Sequence, residues 1–252
     1  MSSVRNCTHQ VWDRLTPKEF CDNLEKMPYR FVPFASGEIY HVFNRSVARQ
    51  PIFITNRHYQ RALDTINYYR FVKPKLRFSH YYRLPLKLKE EFMQKLETTQ
   101  KTLVDILAFC VMPNHFHFLL RQSAKNGIPI FMRNVQNSYA KYFNTKSKRT
   151  GALFQAMFKG IRIETDEQLF HVSRYVHLNP LTSYIVSDLT QLDDYPWSSY
   201  GTYIGKRQHP FVDTREIISY FGTVEKIKTF TSDQAAYQQA LEEIRHLLLE
   251  NP

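Results

Sequence analysis

The stretch from Leu103 to Arg121 constrains the fold more than any other part of the chain. Leu103–Met112 is a nearly continuous apolar run of strand length and reads as a buried strand. Pro113-Asn114 is a turn signal, and His115–Arg121 resumes with alternating aromatic and polar residues, a second strand. Two strands joined by so short a turn make an antiparallel hairpin, so the chain contains an antiparallel sheet. Glu38–Val47 alternates in the same way and predicts another strand, as does Phe154–Ile163. Helical spacing marks Asn56–Phe71, with Asn56 as its N-cap, and Pro129–Thr145; Lys87–Gln100 reads as a charged helix. Thr165 followed by Gln168 resembles a capping box opening a helix to about Asn179, where Pro180 is expected to stop it. Helices mixed with antiparallel strands predict an α+β sandwich, an antiparallel sheet with helices packed on it.

Three regions follow. Residues 1–35 form an N-terminal extension with a short helix around Pro17–Lys26, 36–187 hold the sheet and its helices, and 188–252 form a C-terminal accessory region. The last opens with an aromatic knot, Tyr195-Pro-Trp-Ser-Ser-Tyr200, and continues as a mostly helical tail. The 252 residues are 43% apolar, enough for a real core, with no run near the ~20 residues a membrane span needs. No secretory leader is expected, and Cys7, Cys21 and Cys110 read as reduced thiols of a cytoplasmic protein. Neither a GxxxxGK[ST] loop nor a GxGxxG occurs, so no nucleotide cofactor is expected.

The net charge of +11 is unevenly spread. Between Asp105 and Glu164 lie nine basic residues and no acidic one: Arg121, Lys125, Arg133, Lys141, Lys146, Lys148, Arg149, Lys159 and Arg162. From Asp188 onward ten acidic residues face six basic ones. An acid-free basic stretch suits a polyanion such as nucleic acid, and also a generally basic soluble surface.

Two constellations carry chemistry. Side chains two apart on a strand share a face, so His115 and His117 point the same way and can chelate one divalent ion. Solvated or core histidines would look the same. In Arg174-Tyr-Val-His-Leu-Asn-Pro180, Tyr175 and Asn179 are four apart and share a helical face. Asn179 can offer a carbonyl oxygen to a metal and Tyr175 its hydroxyl to a substrate. With a phenol pKa of about 10, such a tyrosine attacks a phosphate only with help. A packed tyrosine and a helix-ending asparagine fit the same residues. His177 points away from Tyr175.

Met112-Pro-Asn-His-Phe-His-Phe-Leu-Leu120 resembles the histidine-hydrophobe-histidine (HUH) signature of single-tyrosine transposases. Arg174–Pro180 is similar to the tyrosine helix of their REP-associated branch. Tyr40–Ser46 resembles the family's first strand, Gly151–Lys159 its next-to-last core segment and Tyr195–Tyr200 its C-terminal signature. The likeness covers roughly residues 36–205. It implies a ferredoxin-like sandwich and a Mg²⁺- or Mn²⁺-dependent DNA strand transferase acting on single-stranded, hairpin-bearing DNA through a 5′-phosphotyrosine. His115, His117 and Asn179 would be metal ligands and Tyr175 the nucleophile, although Asn179 stands where the insertion-sequence branch has Gln. Arg121, Lys141, Lys146, Lys148, Arg149, Lys159 and Arg162 are the DNA-backbone candidates. A monomer is favoured over a homodimer, and a cytoplasmic, nucleoid-associated location is expected. Two other readings stand beside this one: a metal-dependent nickase that uses water, and a domesticated, non-catalytic nucleic-acid-binding protein.

Overall fold

The computed structural model describes residues 34–233 and Ala235. The expected helix at Pro17–Lys26 and the end of the tail lie outside the described residues. The sheet contains β1 (Ile39–Arg45), β2 (Val104–Met112), β3 (His115–Gln122) and β4 (Lys159–Ile163), in the spatial order β2-β3-β1-β4 with every neighbour antiparallel. The helices are α1 (Asn56–Tyr69), α2 (Phe78–Tyr81), α3 (Leu86–Thr99), α4 (Gly127–Lys146) and α5 (Asp166–Thr182), then α6 (Leu189–Asp194), α7 (Tyr200–Tyr203), α8 (Arg215–Phe221) and α9 (Val224–Ser232). This is the ferredoxin-like arrangement, with the inner strands β1 and β3 joined through helices to the outer ones. Among the described residues no helix is long and apolar enough to cross a membrane.

Both faces of the sheet are covered. On one, Tyr40, Val42, Phe116, Phe118 and Leu120 pack with Leu63 and Ile66 of α1 and Phe131, Met132 and Tyr139 of α4. On the other, Leu107, Leu119 and Cys110 pack with Leu169, Val172, Val176 and Leu178 of α5 and with Tyr200, Tyr203 and Ile217 of the tail. The period of two along each strand sorts residues between the two cores, and a one-residue slip would exchange them. Residues 195–213 run along the outer edge of β2. Val111 donates to Trp197 C=O, Phe109 to Ser199 Oγ and Asp213 N–H to Ile106 C=O, while Tyr195 and Tyr203 hydroxyls donate to Val111 and Leu107 carbonyls. The aromatic knot thus satisfies an edge that would otherwise pair with another chain.

Several expectations need correction. Thr165 caps α5 by accepting from Gln168 N–H at 3.2 Å, but the Gln168 side chain accepts from Glu164 N–H, one residue before the cap. Pro180 does not end α5, which continues to Thr182. Proline removes one helical hydrogen bond and crowds the carbonyl four residues before it, and burial of Leu178 and Leu181 holds the chain helical past it. The last predicted strand shrinks to Lys159–Ile163, leaving Phe154 in a single bridge to Ser46. The N-cap of α1 is Thr55, not Asn56.

Gly127 opens α4 against the backbone before β2. A Cβ there would lie 2.0 Å from the Leu103 carbonyl oxygen, which already accepts from Ser123 and Ala124 N–H. Alanine in a helix ordinarily gains about 1 kcal/mol over glycine. Here the sign should reverse: Gly127→Ala is expected to lose about 2–3 kcal/mol through overpacking. A lower urea midpoint at unchanged slope checks this.

Candidate functional site

The two sequence constellations meet on the α5 side of the sheet. On β3, His115 and His117 share a face with Leu119 while Phe116 and Phe118 enter the opposite core. Their rings are 5.3 Å apart, centroid to centroid. His117 is only 6% exposed, whereas His115 is half-buried. Tyr175, on α5, stands edge-on to His117 at 5.5 Å. Residues 58 apart in sequence are therefore neighbours because α5 lies across β2 and β3. Asn179, one turn further, is buried, and its side-chain nitrogen donates to the Tyr175 carbonyl at 2.8 Å. That bond turns the amide back along its own helix.

His41 completes the group and was not singled out from the sequence. Its Nε2 is 2.9 Å from His117 Nδ1, and its ring is 5.7 Å from that of Tyr175. The β1–β3 register sets Phe43 opposite His117, which makes His41 the diagonal neighbour. A signal was present: in Tyr40-His-Val-Phe43 the alternation turns a lone polar ring to the same side as Phe43. Burial pushes the His41 imidazole down to about 3, so it is neutral near pH 7. Phe43 stacks between this pair and the sheet margin, 5.4 Å from His117, with Lys159 Nζ 6.0 Å from its ring.

His177 lies elsewhere, as its helical position predicts. It is buried against Tyr200 and Tyr203, with Nε2 2.9 Å from Ser199 Oγ. Desolvation lowers its imidazole to about 3. Unfolded, the same ring titrates near 6.5, so below that pH the unfolded chain holds the extra proton and stability falls as pH falls. Going from pH 7 to 4.5, this one residue should cost about 2–3 kcal/mol. His177→Gln should flatten that part of the pH dependence, read from urea midpoints at the two pH values.

The other tyrosines of the basic segment are not at this site. Tyr139 is buried and donates to the Ile52 carbonyl at 2.7 Å.

The seven basic candidates do not form one patch. Lys141, Lys146, Lys148 and Arg149 gather at the end of α4, where Lys146 Nζ donates to His58 Nε2 at 3.2 Å. Lys159 and Arg162 lie on β4, at the sheet edge beside β1. Arg162 pairs with Glu38 at 3.0 Å, and Arg121 pairs with Glu216 of α8. Both partners come from outside the acid-free stretch, so counting charge along the sequence overstates the local field at these two residues.

Two imidazoles on one strand face, His115 and His117, could ligate a borderline divalent ion, and the Asn179 amide lies on the same helix as Tyr175. Among the described residues no group of three or more His, Cys, Asp or Glu side chains is arranged to hold a metal.

Over residues 38–179 the chain matches the sequence profile of the family described as transposase, IS200-like. Among solved structures it is similar to a REP-associated tyrosine transposase bound to a REP hairpin, with 14% identity, a TM-score of 0.47, and coverage of 75% of this chain and 93% of that one. No curated protein matches it.

Proposed function

Since this chain belongs to the IS200-like transposase family, we propose that it nicks and rejoins single-stranded, hairpin-bearing DNA through a covalent bond to Tyr175. The observation that carries this reading is the meeting of Tyr175 with His117 across two distant segments, ring against ring at 5.5 Å. A phenol is a poor nucleophile near pH 7 and needs the phosphate charge offset beside it. His115, His117 and Asn179 would hold a divalent ion, Mg²⁺ or Mn²⁺, and two imidazoles with an amide favour Mn²⁺. Such an ion supplies charge withdrawal from the scissile phosphate.

The chain's own residues do the rest. His41 and His117, stacked on each other, both meet the Tyr175 ring edge-on and restrict how that ring can turn. Tyr175 Oη forms a bond to phosphorus as the P–O3′ bond breaks. The phenol loses one proton and the departing 3′ oxygen gains one. A 5′-phosphotyrosine replaces a phosphodiester, so the bond energy is kept and a 3′-hydroxyl can later rejoin without a nucleotide cofactor. Lys159, beside Phe43 at the margin, and the cations at the end of α4 would follow the DNA backbone. Residues 36–187 would be the catalytic unit, with 188–252 as its accessory. Because Tyr175 reaches its own chain's His117, a monomer acting in cis fits this geometry without exchange between copies.

The test is an SDS gel of the protein with Mn²⁺ and labelled hairpin DNA drawn from the flanks of its own gene. The expected result is an SDS-resistant adduct whose nucleotide maps by mass spectrometry to Tyr175. Cleavage without an adduct would instead assign the attack to water. Binding with no cleavage of any flanking hairpin would favour a non-catalytic binder.

A further inference from the structure

Each of the two β3 histidines has a dedicated partner. The Asn114 amide donates through Nδ2 to the Arg49 carbonyl at 3.1 Å, which turns its Oδ1 toward His115 Nδ1 at 2.5 Å. An amide oxygen only accepts, so His115 carries its proton on Nδ1 and its lone pair on Nε2. The Arg49 carbonyl is itself held in place. Ala48 and Arg49 both adopt left-handed backbone, φ 55° and 53°, in a loop tied to the hairpin turn. Ser46 N–H donates to Asn114 C=O, and Ile52 and Phe53 N–H donate to Pro113 C=O. Two consecutive non-glycine residues at positive φ persist only where surrounding bonds enforce them.

At His117 the partner is His41, whose Nε2 faces His117 Nδ1 at 2.9 Å. One proton lies between these nitrogens. If it sits on His117 Nδ1, the His117 lone pair is on Nε2 and His41 carries its own proton on Nδ1. If it sits on His41 Nε2, then His117 is protonated on Nε2 and its remaining nitrogen is already occupied. Among the described residues His41 Nδ1 has no hydrogen-bond partner in either case.

We propose that Asn114 and His41 are positioning residues that set the tautomers of His115 and His117, so that both rings present Nε2 to the divalent ion. The inference rests on the metal site proposed above. Ligand histidines commonly donate their second N–H to a fixed acceptor, and loss of that acceptor weakens metal binding by 10- to 100-fold. Here the acceptors are a side-chain amide and an imidazole rather than carboxylates. That keeps added negative charge away from a centre that receives a phosphate.

Long-range ¹H–¹⁵N correlation spectra of the metal-free, full-length wild-type protein read these tautomers directly and need no variant to fold. Expected are Nδ1–H forms for His115, His117 and His41. An Nε2–H form at His115 or His117 in a protein that still binds Mn²⁺ overturns the positioning roles and leaves the metal site standing. A Mn²⁺ titration followed by electron paramagnetic resonance supplies the second readout. Asn114→Ala should weaken Mn²⁺ binding about 10- to 100-fold. Wild-type affinity in Asn114→Ala would reject the proposal. Failure of the wild type to bind Mn²⁺ at all would reject the metal site itself, and this proposal with it.

Discussion

Replacing Tyr175 with phenylalanine is expected to abolish the covalent adduct and to slow strand cleavage at least about a thousandfold, with DNA binding unchanged. The substitution removes one oxygen. The ring that packs edge-on against His41 and His117, among the apolar residues of the second core, is retained. Folding stability should therefore move by less than about 1 kcal/mol, as for other substitutions that conserve volume. Chemistry should respond differently, because removing a nucleophile leaves only binding and electrostatic stabilisation, and water must take its place. A thousandfold loss corresponds to about 4 kcal/mol of barrier. Single-turnover cleavage of labelled hairpin DNA measures the rate, and fluorescence anisotropy measures binding. A loss below about tenfold would mean that water attacks in the wild type as well, and the nickase reading would replace the transferase.

What could be read from the sequence divides by the range of the interactions involved. The pairing of His115 with His117 is a local fact of strand geometry, and the hairpin around Pro113-Asn114 is equally local, so both were legible. So was the shared helical face of Tyr175 and Asn179. That these two groups meet depended on the family pattern, since nothing local states that α5 crosses β2 and β3 on the histidine face. His41 was missed because its relation to His117 is a register between strands 76 residues apart. The charges of Arg121 and Arg162 were overvalued for the same reason: their carboxylate partners, Glu216 and Glu38, lie 95 and 124 residues away. Pro180 misled in the opposite sense. A local breaker was overruled by tertiary burial of Leu178 and Leu181. The covering of the β2 edge by residues 195–213 left no local trace beyond the aromatic knot itself.

The two histidines should separate when each is changed to alanine. Both substitutions remove a proposed ligand, so each should lower Mn²⁺-dependent cleavage by about a thousandfold, the order expected when charge stabilisation at a transferring phosphate is withdrawn. Their structural costs differ. His117 is nearly fully buried, stacked on His41 and Phe43 and edge-on to Tyr175. His117→Ala opens a cavity among those rings and leaves His41 Nε2 without its partner, a combined loss of about 2–4 kcal/mol. His115 is more accessible, and its partner Asn114 keeps the bond to Arg49, so His115→Ala should cost about 1 kcal/mol or less. Urea unfolding at neutral pH together with single-turnover cleavage at saturating Mn²⁺ places each variant on both scales. Equal loss of cleavage with unequal loss of stability is what a shared ion between one buried and one half-buried ligand requires. If His115→Ala cleaves within tenfold of wild type while His117→Ala is inactive and unstable, the buried ring is a packing residue, and the ion, if any, is held elsewhere.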